Sequence, residues 1–331
     1  MIHVEPKNIS LQEVHKLLLG GVAPRPIALV STLSEDSIPN LSPFSFFNAF
    51  GYNPPVVAFS PSRRGRNAAL KDTYNNIMKT KECVIQAVTF AMVEQISLAS
   101  TEYAPEVNEF EKSGLTPIAS DIVKPLRVKE SPFQMECKLL NMISVGDGGG
   151  SANIAICEVL KFHVTEDIMK NGTIEPGLID LVGRMPANYY VRARGNAVFE
   201  VQKPGLKPGI GYDKIPEFIK ESNVYSANNL GKFGSIEKLP DEKEMISFVK
   251  EIEDLQLEGF EGTEQSFYRY QSQNDYMKML KTAYILFQKG HSKVKTFIEL
   301  SVKCALDNND IYFAWRGALS VILLKQVKDR E

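Results

Sequence analysis

The spacing of apolar positions changes along the chain, from runs and alternations in the first part to helical spacing in the last. Leu11, Val14, Leu17 and Leu18 share one helical face. Ser10 and Glu13 form a capping box before them, and Gly20-Gly21 closes the segment. Residues 27–33 are a β-rich run, residues 34–37 a polar turn, and 27–33 with 38–46 are expected to form a hairpin. Val56 to Phe59 reads as a third strand after two prolines, and Cys83 to Val88 as a fourth. Residues 90–100 read as a helix. Phe133–Val145 and Ala152–Val164 read as two long strands joined by a glycine-rich turn. Short, closely spaced strands with few helices between them favour an antiparallel barrel over a parallel, doubly wound sheet.

Beyond Pro204 the period becomes helical. Asp241 caps an expected helix to about residue 257, with Met245, Phe248, Val249, Ile252 and Leu255 inward. Residues 273–289, 292–306 and 310–327 read as three more, making a small bundle or a cap on the barrel. The Pro/Gly run from Lys203 to Gly209 reads as a linker. Charge density changes there too: 41 of residues 1–204 are charged, against 37 of the remaining 127, so the tail is the more polar part. The expected division is a barrel domain over 1–203 and a linker with a helical extension over 204–331.

The 331 residues carry 38 Lys/Arg and 40 Asp/Glu, a net charge of −2 that argues against nucleic acid as a partner. No apolar run approaches the roughly 18 residues of a membrane helix, and the first residues lack the pattern of a secretory signal. Cys83, Cys137, Cys157 and Cys304 form no CxxC pair, and the four histidines are scattered, so no metal site is expected. The expectation is a cytoplasmic protein with reduced thiols and no membrane partner.

The segment from Gly21 to Asn76 carries the most chemistry. Arg25 sits between Pro24 and Pro26, immediately before a strand. Ser42-Pro43-Phe44-Ser45-Phe46-Phe47-Asn48 mixes hydroxyls, an amide and aromatics, which suits the polar edge and apolar face of a heteroaromatic ring. Ser60, Ser62, Arg63, Arg64 and Arg66 gather hydroxyls and guanidiniums after a strand, and Lys71-Asp72-Thr73 follows. Such groups bind phosphate. Together they point to a nucleotide-like cofactor. Taken singly they are less telling, since Phe46, Phe47 and Phe50 also suit a core and the arginines also suit a solvated loop. Gly146 to Gly150 lacks both the Walker Lys-Ser/Thr and GxGxxG spacing, and reads as a hairpin turn. No Ser-His-Asp, Cys-His or paired-carboxylate constellation is present, so no catalytic side chain is expected.

With these residues in view, the chain resembles the FMN-binding split β-barrel proteins of the flavin reductase-like group, which includes flavoredoxin and the reductase components of nitrilotriacetate-type monooxygenases. The matching blocks are PRPIALVST, NLSPFSFFN, NPPVVAFS and KDTYNNI, then SLASTEYAPEVNEFEKSGLTP, ESPFQMECKLL and ICEVLKFHV. They cover residues 1–203 in order. The resemblance implies a mainly β fold, an antiparallel Greek-key split barrel, carrying here a C-terminal α-helical extension. It implies non-covalent FMN near a homodimer interface. Ser31 and Thr32 would meet the isoalloxazine edge or ribityl chain, and Ser45, Phe46, Phe47 and Asn48 would line the ring. Arg25, Ser60, Ser62, Arg64, Lys71 and Thr73 would hold the phosphate, with Asp72 orienting Lys71 or a backbone N–H. The block Arg184, Asn188, Tyr189 and Tyr190 would approach the flavin from the same or the partner subunit. The implied activity is hydride transfer from NADH or NADPH to FMN, with onward delivery to an acceptor, a protein among the candidates. The alternatives are a flavoredoxin-like carrier without a nicotinamide reaction and a flavin-binding interaction protein that docks a partner through the helical tail.

Overall fold

The computed structural model describes residues 1–201, 207–257 and 259–328, with side chains as far as Ile322. The chain divides into two compact units, Met1–Glu200 and Val201–Glu331. The linker expected over Lys203–Gly209 falls largely outside the described residues, as does the expected boundary itself.

The first unit opens with helix α1 (Leu11–Gly21), and its capping box is as expected: Glu13 N donates to Ser10 Oγ at 3.3 Å and Ser10 N to the Glu13 carboxylate at 2.9 Å. Seven strands follow: β1 (Ala28–Leu33), β2 (Pro39–Phe44), β3 (Phe47–Tyr52), β4 (Pro55–Phe59), β5 (Glu82–Ala87), β6 (Phe133–Val145) and β7 (Ala152–Val164). They form one antiparallel sheet in the order β2-β1-β5-β6-β7-β4-β3. Helices α2 (Asp72–Thr80), α3 (Val93–Ala99) and α4 (Glu109–Ser113) are interspersed, and a hairpin of β8 (Val182–Arg184) and β9 (Tyr190–Arg192) ends the unit.

The strand order alone requires a curled sheet. Strands β2 and β3 lie at opposite edges, yet only Ser45 and Phe46 separate them. Six inter-strand spacings of about 4.8 Å would hold the edges of a flat sheet about 29 Å apart. Two linking residues span at most about 10 Å. The edges therefore meet at the Ser45–Phe46 corner, which makes the sheet a barrel with a seam. Irregular register between β6 and β7, at Glu136/Cys137 and Leu139/Asn141, supplies bends of the kind that closure needs.

Strand β1 is buried on both faces. Ala28 and Val30 join a cluster with Phe59, Ile85, Cys137 and Ala155, while Ile27 and Leu29 pack with Ile96 and Phe110. Its first half, Ala28 to Val30, is accordingly apolar, and the buried Ser31 and Thr32 that follow are hydrogen-bonded inside the protein. Strand β3 departs from the expected pattern. The strand expected over 38–46 stops at Phe44, and Phe47–Tyr52 is a separate strand paired with β4, from Phe47↔Phe59 to Tyr52↔Pro55. Residues 48–52 are exposed, so no core-facing alternation marked them.

The second unit is helical: α5 (Ala227–Phe233), α6 (Glu242–Asp254), α7 (Glu264–Ser272), α8 (Tyr276–Gln288), α9 (Val294–Asp307) and α10 (Ile311–Lys328). Asp241 caps α6 as expected, while α7 was not foreseen. The core holds Phe233, Phe248, Phe267, Tyr284, Phe297 and Trp315. Trp315 Nε1 donates to Phe233 O at 2.9 Å, and the two rings meet edge-on at 4.9 Å. No helix among the described residues is long and apolar enough to cross a membrane.

Candidate functional site

The barrel seam brings the aromatic segment and the basic loop together. Ser60 N donates to Phe46 O at 2.9 Å, tying the end of β4 to the corner between β2 and β3. At that corner Phe46 is exposed, Ser45 and Phe47 are half-buried, and Asn48 is exposed with its Oδ1 accepting from Ala49 N at 2.8 Å. Arg25 reaches the same corner, with Nε 3.4 Å from Ser45 Oγ. Its Nη1 donates to Leu19 O and Val22 O at 2.8 and 2.7 Å, and Nη2 donates to Met185 O at 3.3 Å. Arg25 is only 4% exposed and has no carboxylate partner among the described residues. Burial, and then the neighbouring charge of Arg184, push its pKa below the usual arginine value. Arg25, Phe47 and Asn48 line an apolar groove of about 680 Å³ that also exposes Phe133 and Phe162.

The basic loop after β4 is built against the β6–β7 turn. Arg63 N donates to Ser151 O at 2.9 Å, and Gly150 N to Arg63 O at 3.2 Å. A Cβ on Gly149 would lie 2.4 Å from Gly65 O. Gly149 is thus needed for close approach, and the glycine-rich segment is both a hairpin turn and one wall of the loop. The Ser60 and Ser62 hydroxyls lie 3.0 Å apart. Arg64 pairs with Asp72 at 3.3 Å and with Glu102 at 3.2 Å, and Arg66 reaches Glu102 at 2.8 Å. Asp72 therefore holds Arg64, not Lys71. Lys71 has no carboxylate partner among the described residues, and its Nζ lies 5.1 Å from the Phe44 ring centroid. Burial and then the Arg64 charge lower the Lys71 pKa, which Glu102 partly offsets. Arg63 Nε is buried without a partner among the described residues. A half-buried unpaired ammonium, an orphaned guanidinium donor and two hydroxyls are a donor set that fits a phosphate.

Three candidate hydroxyls are engaged inside the protein instead. Ser31 is fully buried and donates to Leu126 O. Asn40 Oδ1 accepts from Thr73 Oγ1 at 2.8 Å and from Thr32 Oγ1 at 3.3 Å. Asn40 Nδ2 in turn donates to Glu109 at 3.0 Å, and Leu41 N donates to the other Glu109 oxygen at 3.0 Å. Burial raises the Glu109 pKa, against the lowering effect of these bonds. Nothing in the local sequence around Glu109 marks it out, since its partners are 68 and 69 residues away. Its function is to tie α4 to β2 and, through Asn40, to the start of α2 where Lys71 sits, a relation visible only once the elements are packed. The late block stands beside Arg25: Arg25 N donates to Arg184 O at 3.0 Å and Arg184 N to Arg25 O at 2.8 Å.

Comparison with known proteins agrees with this architecture. The family model for the flavin reductase like domain matches residues 20–194. A protein of Aquifex aeolicus is 41% identical over 196 residues, covering 59% of this chain and 97% of its own. Among solved structures, nitrilotriacetate monooxygenase component B from Bacillus cereus is 29% identical with a TM-score of 0.57, over 61% of this chain and 98% of that one. The 2-nitrobenzoate 2-nitroreductase of Pseudomonas fluorescens, at 24% identity and a TM-score of 0.55 over 63% of this chain and all of that one, shares the fold. The seamed barrel is thus the split barrel of these proteins, and the chain belongs to the flavin reductase like family.

Proposed function

We propose that the barrel unit binds FMN and serves as an NAD(P)H-dependent flavin oxidoreductase. The observation that carries the reading is the Ser60–Phe46 backbone bond, which sets a phosphate-type loop against an aromatic corner. Lys71, Arg64, Ser60 and Ser62 hold the phosphate, and Asp72 keeps the Arg64 fork oriented. Phe46 and Phe47 give the ring an apolar face, and Ser45 and Asn48 give its polar edge hydrogen-bonding groups. Arg25 supplies a fixed positive charge at the same corner. Ser31, Thr32 and Thr73 support these elements from within. Bound FMN would supply the redox chemistry, taking hydride at N5 from the nicotinamide C4 and passing electrons onward. The protein then needs no nucleophile or general base of its own.

The test is an anaerobic absorbance spectrum of the FMN-loaded protein before and after NADH or NADPH. Bleaching within seconds supports the reading and identifies the donor. Flavin that binds but stays oxidised rejects direct donor reaction and points to a carrier. Failure to bind FMN removes the cofactor assignment.

A further inference from the structure

The β8–β9 hairpin separates the apolar groove from a second cleft of about 540 Å³, with Val182 and Val191 lining both. This cleft lies between the hairpin and residues 90–100. Its walls carry two guanidinium–aromatic pairs: Arg184 sits 4.5 Å from the Tyr190 ring centroid, and Arg192 sits 3.8 Å from that of Phe90. Asp180 takes Arg192 through two bonds at 2.7 and 2.6 Å, and Arg194 at 3.6 Å. Arg184 has no carboxylate partner among the described residues; it donates to Ala187 O at 2.6 Å. The cleft's own acid is Glu94, and Ser97 and Asn188 add an exposed hydroxyl and amide. The charged groups lining the cleft are thus Arg184 and Arg192 against Glu94. Aromatic rings, a guanidinium without a carboxylate partner among the described residues and neutral hydrogen-bonding groups match a planar base carrying phosphate.

We propose that this cleft binds the adenosine-phosphate half of the dinucleotide donor. The proposal rests on the hydride-donor reading above. Its volume lies within the roughly 300–1,000 Å³ of small-molecule sites. Position supports it as well. Arg25 touches Ser45 at the flavin corner and is backbone-paired to Arg184 at the cleft, so the cationic path runs from one to the other. A dinucleotide has that layout, a diphosphate joining two ring-bearing ends. Recognition by side chains also accounts for a dinucleotide user that has no GxGxxG turn.

The test uses Arg184→Gln and Ser97→Glu in the full chain, with FMN bound. Ser97 is exposed, so its substitution adds a repelling charge without disturbing the core. In anaerobic stopped-flow reduction, both variants should raise the half-saturating dinucleotide concentration about tenfold or more, the scale of one charge-assisted contact. In Ser97→Glu, which lies outside the flavin corner, the limiting rate and FMN affinity should hold. Reduction by reduced nicotinamide mononucleotide, which lacks the adenosine half, should not change. An unchanged half-saturation, or an equal loss with both donors, overturns the proposal. Calorimetric titration with ADP-ribose separates it from the reductase reading. If neither dinucleotide bleaches the flavin, yet ADP-ribose binds and both variants weaken it tenfold, the cleft assignment stands and the reductase reading falls. No saturable ADP-ribose binding to the wild type overturns the cleft assignment.

Discussion

Replacing Glu136 with Gln should destabilise the barrel unit strongly at neutral pH and much less in acid. Glu136 is fully buried on β6, with Oε1 accepting from Asp121 N at 2.8 Å and Oε2 from Ile122 N and Val123 N at 2.6 and 2.9 Å. His163 Nε2 lies 2.6 Å from Oε1. Burial alone would push this carboxyl up, but the backbone donors and His163 together outweigh it and hold the pKa at about 2, against an ordinary 4.5. A pKa depressed by folding contributes stability that is fully present above the unfolded value and is lost as pH falls through the folded one. The gap from 4.5 to about 2 is worth about 3.4 kcal/mol at pH 7 and about 1.4 kcal/mol at pH 3. Because Gln does not titrate, the difference between wild type and variant should shrink by about 2 kcal/mol between those pH values. The single tryptophan, Trp315, lies in the helical unit, so its fluorescence does not report this event. Native-state hydrogen exchange of the Asp121, Ile122 and Val123 amides does, since it reads the opening free energy of the segment Glu136 holds. A difference that stays constant within about 0.5 kcal/mol from pH 7 to pH 3 would refute the assignment of this stability to the ionised carboxylate.

Arg64→Ala should weaken FMN binding about 10- to 100-fold, as expected for loss of a charge-assisted phosphate contact, and leave riboflavin binding unchanged. Fluorescence titration with both flavins checks this. Asn40→Ala should cost about 2–3 kcal/mol, because it strips a donor from buried Glu109 and the acceptor from Thr73. Urea unfolding followed by far-UV circular dichroism, with a matched Ser→Ala variant at exposed Ser97, measures it. Phe50 on β3 is 71% exposed in the single chain, so the homodimer that the family resemblance implies is tested there: sedimentation equilibrium should show a dimer for the wild type and a monomer for Phe50→Asp, and a variant that stays dimeric rules this face out. Phe233→Ala should destabilise the helical unit by about 3–5 kcal/mol, because it empties the space against Trp315. The shift of the Trp315 emission midpoint in denaturant measures it.

The sequence by itself determined the class of structure and the chemistry on offer. Residues 27–33 read as a strand because they are rich in β-forming side chains, and that property belongs to the residues. The Ser10–Glu13 and Asp241 caps were legible because a cap is satisfied within three residues. The basic loop and the aromatic segment were legible as types, since phosphate and flat rings ask for particular side chains. Tertiary structure decided which of those groups face outward. Thr32 and Thr73 are as polar as Ser60 and Ser62, yet they are buried on Asn40 while Ser62 stays half-exposed in the basic loop. The alternation of a strand fixes its two faces but not which one is covered. Strand β3 was invisible because its residues are exposed and carry no core period. The partners of Glu109 and Glu136, and the backbone partner of Arg184, lie far from them in sequence, and only the packed fold sets those groups within hydrogen-bonding distance.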